Sequence, residues 1–124
     1  MPRNSTTPWR NQKRYGVHMD KDSVIDELRA FVAARDWDQF HTPENLAKSI
    51  SIEAAELLEL FQWDSEVEKG RLEDELADVL TYCYLLADKR GLDPEQLILQ
   101  KLKVTGEKYP VDKARGKSTK YGQL

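Results

Sequence analysis

Cysteine is almost missing from this 124-residue chain: Cys83 stands alone, so no intrachain disulfide can form. A lone thiol among apolar neighbours reads as core filler rather than a nucleophile, and it suits a reducing cytoplasm. Histidine is scarce too, with only His18 and His41. No apolar run approaches the roughly 20 residues that a membrane-spanning helix requires. The N-terminus carries Arg3, Arg10, Lys13 and Arg14 but no apolar segment behind them, so it does not read as a secretory signal. Alternating apolar and polar runs of strand length are absent as well, which leaves no convincing strand.

What remains is helical periodicity. Residues 1–19, rich in Asn, Thr, Pro and Arg, read as a flexible extension. Val24, Ile25, Leu28, Phe31 and Val32 then space a helix over about 23–35, with Ser23 and Asp26 as a capping box. "DWDQFHTPEN" breaks the pattern and puts Trp37, Phe40 and His41 in a loop. Thr42, Pro43 and Glu44 open a second helix, expected to reach about Trp63. A third helix spans about 71–90 with Gly91 as its stop, and Asp93, Pro94 and Glu95 open a fourth that ends before Tyr109-Pro110. The expected fold is all-α, a four-helix bundle over residues 20–110 followed by a basic tail over 111–124. Ile52, Leu58 and Leu85 fall off the main apolar stripes, which predicts a homo-oligomer, a dimer or a tetramer made of two dimers.

Charge is distributed unevenly. Between Glu53 and Asp78 there are ten acidic residues against Lys69 and Arg71, while from Lys101 to Lys120 seven basic residues face Glu107 and Asp112. An acidic middle would repel a nucleic-acid backbone, so nucleic-acid binding is not expected. The two regions together fit a ligand that carries both a cation and anionic groups.

The acidic middle holds two spaced pairs. Glu53 and Glu56 share one face of the second helix, and Glu75 and Asp78 share one face of the third. Helices joined by a short connector run antiparallel, so the pairs can face each other. Four facing carboxylates repel one another unless they protonate or a hard cation sits among them. Magnesium prefers oxygen ligands and completes its shell with waters and substrate phosphates, so the pattern predicts a Mg2+ site filled out by a phosphorylated ligand. Neither histidine lies on these helices, which argues against a Glu-x-x-His di-iron set. Glu59 and Glu73 read as solvated surface groups.

Glu53-x-x-Glu56, eighteen residues, then Glu75-x-x-Asp78 resembles the signature of the all-α nucleotide pyrophosphohydrolases, the MazG-like superfamily. "RDWDQFHTPENLAKSISIEAAELLELFQW", "ELADVLTYCYLLA" and "KYPVDKARGKSTKY" resemble its dCTP pyrophosphatase-like branch, over about residues 22–121. The resemblance implies Mg2+-dependent cleavage of a (deoxy)nucleoside triphosphate, dCTP or a related pyrimidine, to the monophosphate and pyrophosphate. It implies that Glu53, Glu56, Glu75 and Asp78 hold metal and that one of them, or the metal, activates water. Trp37 and Trp63 would stack on the base, and Tyr82, on the face of Glu75 and Asp78, would pack under the sugar. Asn45 and Lys48 precede Glu53 on its helix. Lys101, Tyr109 and Lys113 belong to the basic end that closes over the phosphates in such proteins, often from a neighbouring subunit.

Two positions depart from the branch. Leu28 stands where relatives often carry a histidine that reaches the base, and Thr105-Gly106 stands where many carry an asparagine. Both bear on base selectivity rather than on the phosphate chemistry. The rival class is a non-catalytic helical module that binds a nucleotide or a protein; it would not need all four acidic positions.

Overall fold

The computed structural model describes residues 21–63 and 66–124. Helices and short 3-10 turns account for all the regular structure among them. The chain divides into two compact units, one running to Arg90 and the other from Gly91 to Leu124.

The first unit contains α1 (Lys21–Ala34), a 3-10 turn at Asp38–Phe40, α2 (Pro43–Glu59) and α3 (Lys69–Lys89). The helix start expected at Ser23 is corrected: α1 is already helical at Lys21, so Ser23 lies inside the helix. Thr42 caps α2 as its chemistry suggests, its side chain accepting from the Asn45 N–H at 3.1 Å with Pro43 in the first turn. α2 ends at Glu59 rather than near Trp63. Leu60 and Phe61 continue the apolar spacing, but the N–H groups of Leu60, Phe61 and Gln62 bond back only three residues, to Leu57, Leu58 and Glu59, in a tightened terminal turn. Gly91 closes α3 with φ +68°, in the left-handed region that Gly occupies without strain.

α2 packs along α3, and α1 packs on α3. Leu46 meets Leu85 in the core, whereas Glu53, two turns later on α2, meets Asp78, two turns earlier on α3. That reversed pairing makes the two helices antiparallel. The core is small: Val32, Leu46, Leu85 and Ala87 are buried, with Leu28, Tyr82 and Leu86 packed against it. Leu85, expected to face outward, is therefore a core residue, because α3 turns a second apolar face toward α1 and α2. Ile52 and Leu58 do lie outside, 58% and 71% exposed. Cys83 is a free, half-buried thiol.

The second unit contains α4 (Pro94–Lys108), the short α5 (Val111–Ala114) and a 3-10 turn at Tyr121–Gln123. Asp93 caps α4 by accepting from the Glu95 and Gln96 N–H groups at 3.0 and 3.4 Å. Gly106 does not stop the helix. The tail is held by a clasp: the Tyr121 N–H donates to Tyr109 Oη at 3.3 Å and the two rings meet edge to face at 5.8 Å. No helix among the described residues is long and apolar enough to cross a membrane.

Candidate metal centre

Glu53 on α2 and Glu75 and Asp78 on α3 each place a carboxylate oxygen within 4.8 Å of the others. Their spacing on two antiparallel helices makes this possible: residues three apart share a face, and the faces meet across the α2–α3 seam. Glu53 and Glu75 are half-buried and Asp78 is exposed, so the cluster sits at a lip where solvent and ligand can reach it.

The electrostatics are unfavourable for the carboxylates alone. Glu53 Oε2 and Glu75 Oε2 are both buried without a hydrogen-bond partner. A buried polar atom without a partner is unfavourable, and more so when charged. Burial raises the pKa of Glu53 above the ordinary carboxylate range, and the neighbouring Glu56, Asp78 and Glu75 raise it further. Glu75 is raised first by burial and then by Glu56 and Asp78, with Arg71 opposing in part. Glu56, exposed, contributes negative charge to both. Two orphaned oxygens inside a cluster of like charge could serve a hard divalent cation, which would supply the missing partner and offset the repulsion.

Tyr82 lies one turn beyond Asp78, half-buried against the core. Burial raises its phenol pKa, and the charges of Glu53 and Asp78 raise it further, which places the ring beside the carboxylates. Trp63, in the bend after α2, is 87% exposed, and Trp37 is 44% exposed. Both indoles are exposed, as a stacking platform requires.

The remaining sequence-derived residues are placed differently. Asn45 is occupied with the loop, its side-chain amide donating to the Phe40 carbonyl at 3.0 Å. Lys48 is exposed and pairs with Glu44 at 3.2 Å. Lys101, Tyr109 and Lys113 belong to the second unit, where Lys101 and Lys113 are exposed and Tyr109 forms the clasp. A separate groove of about 260 Å3, lined by Val32, Leu46 and Leu85, lies about two turns from the carboxylates. Its rim charges are neutralised in pairs: Arg29 Nε with Asp88 at 3.2 Å and Lys89 with Asp38 at 2.7 Å.

Sequence reasoning missed how Trp37 is held. α1 ends in a Schellman motif: the Asp36 N–H bonds to the Ala33 carbonyl and the Trp37 N–H to the Val32 carbonyl, both at 3.1 Å. Asp36 takes the left-handed position with φ 53°, where glycine is usual. The legible signal was a helix that stops with Asp instead of Gly, since Asp tolerates that backbone better than most residues.

Comparison with known proteins agrees with this arrangement. The model of the MazG-like family matches residues 48–124, which include all four acidic positions. The dCTP pyrophosphatase 1 proteins of Mus musculus and Homo sapiens are 40% and 39% identical to this chain over 117 residues, covering 83% of it and 69% of each relative. A crystal structure of a pyrophosphatase from Archaeoglobus fulgidus matches with a TM-score of 0.70 and 40% identity, over 77% of this chain and 97% of that one. Fold, acidic cluster and sequence agree: the chain belongs to the MazG-like family, in its dCTP pyrophosphatase-like branch, and is a nucleoside triphosphate pyrophosphohydrolase.

Proposed function

We propose that the substrate is dCTP or a closely related or modified pyrimidine deoxynucleoside triphosphate, cleaved to the monophosphate and pyrophosphate, and that the reaction requires Mg2+. The observation that carries the reading is the convergence of Glu53, Glu75 and Asp78 oxygens within 4.8 Å, two of the carboxylates having a buried, unpartnered oxygen. The dCTP pyrophosphatase 1 relatives support the choice of base.

Glu53, Glu56, Glu75 and Asp78 would hold the metal, which when bound supplies Lewis-acid polarisation of the phosphates and a more acidic water. Glu53 or Glu75, beside the attacking water, would accept its proton. Trp37 and Trp63 give the base its stacking surfaces, and Tyr82, beside the carboxylates, packs under the sugar and disfavours a 2′-hydroxyl. Leu28, packed against the core, offers the base edge no hydrogen bond, so discrimination among pyrimidines is looser than a polar side chain there would give. Lys101, Tyr109 and Lys113 belong to the basic end that meets the phosphates, with Asn45 and Lys48 at the margin of the site. Residues 111–124 form the basic C-terminal tail, residues 20–110 the helical domain, and 1–19, outside the described residues, an extension.

The small core and exposed Ile52, Leu58, Leu76 and Leu80 support assembly of four-helix protomers into a dimer or a dimer of dimers. House-cleaning of the nucleotide pool places the enzyme in the cytoplasm. The test is kcat/KM for the four dNTPs and four NTPs, read as pyrophosphate release with Mg2+. Preference for dCTP or a modified analogue supports the reading, and preference for purines overturns it.

A further inference from the structure

We propose that Arg35 is a positioning residue for nucleotide binding, which holds the Trp37 indole in the pose that receives the base. This rests on Trp37 being a base platform. Arg35 is half-buried, and its guanidinium carbon lies 3.6 Å from the centre of the Phe31 ring and 5.8 Å from that of Trp37. Nη1 donates to the Phe31 carbonyl at 3.0 Å, which helps hold the group over the Phe31 ring. Phe31 in turn meets Trp37 edge to face, centres 5.8 Å apart and planes at 71°. The indole is thus backed by a ring and a cation while its remaining surface stays open.

The backbone beneath it is fixed by independent means. Asp36 sits in the left-handed region, the Trp37 N–H is bonded to Val32, and Gln39 Nε2 donates to both the carbonyl and the carboxylate of Asp36 at 3.0 Å. With the main chain held, the contacts of Arg35 with Phe31 and Trp37 bear on the orientation of the indole. An indole that must be ordered at the moment of binding lowers affinity, and one already ordered does not. Arg35 therefore acts on nucleotide affinity for every base alike, while the carboxylate cluster that governs turnover is untouched.

The experiment is steady-state kinetics on the full-length enzyme with Arg35→Ala, Arg35→Lys and Trp37→Ala. It is paired with fluorescence anisotropy of Trp37 in a Trp9→Phe, Trp63→Phe background. Arg35→Ala should raise KM for all four dNTPs by roughly two- to fivefold, the size of an exposed cation–π contact, with kcat unchanged and lower Trp37 anisotropy. Arg35→Lys, which keeps the charge but not the planar guanidinium, should recover part of the loss, and it serves if Arg35→Ala fails to fold. Unchanged KM with unchanged anisotropy, or a fall in kcat alone, overturns the proposal. If Trp37→Ala leaves KM unchanged, the platform reading itself fails; if it raises KM while Arg35→Ala and Arg35→Lys do not, only the positioning role fails.

Discussion

Glu53 on α2 and Asp78 on α3 bring carboxylate oxygens within 4.8 Å across an antiparallel helix seam, and the buried oxygen of Glu53 has no hydrogen-bond donor. The repulsion that follows has a sign. Glu53 and Glu75 have raised pKa values in the folded chain, so the folded state binds more protons than the unfolded one. Stability from this cluster is therefore fully present below about pH 4 and is lost as pH rises through the raised values. In EDTA, Glu53→Gln should raise Tm at pH 8 and have a smaller effect at pH 4. Mg2+ should reverse the slope, raising the wild-type Tm more at pH 8 than at pH 5. Thermal melts at the three pH values check both signs.

Core and rim should differ in energy. Leu46 is 1% exposed where the three described helices of its unit meet, so Leu46→Ala should cost about 2–5 kcal/mol. Asp88→Ala removes a partly exposed pair with Arg29 and should cost less than about 1 kcal/mol. Urea unfolding of both variants measures the contrast.

Sequence chemistry located the helix starts at Thr42 and Asp93 and the stop at Gly91 because each depends on one residue and its immediate neighbours. It located the acidic cluster because i, i+3 spacing fixes a shared face. It did not locate the end of α2, where apolar spacing continues through Phe61 while the backbone changes to shorter bonds. Leu85 was misplaced because α3 carries two apolar faces, and a single stripe cannot say which meets α1. Trp37's support was hidden because Arg35 and Gln39 gain meaning only from the left-handed Asp36 between them and the indole.

Leu58, 71% exposed on α2, should matter for assembly rather than for the fold of one protomer. Leu58→Lys should lower the mass seen by light scattering at micromolar concentration while helical circular dichroism persists. A wild type that is monomeric there contradicts the assembly.

Trp63, almost wholly exposed, has little packing to lose. Trp63→Ala should leave Tm nearly unchanged and raise KM for every dNTP by a similar factor, a loss of roughly 1–3 kcal/mol of stacking. A loss confined to one base would mean that Trp63 reads base identity.

The most direct test of the carboxylate centre is the product released from dCTP by wild type, with Mg2+ or with EDTA, and by Glu75→Gln. The account predicts dCMP and pyrophosphate from wild type with Mg2+, no turnover in EDTA, and loss of turnover in Glu75→Gln with its helical signal intact. Orthophosphate as the product, turnover in EDTA, or near-normal activity in Glu75→Gln would contradict it.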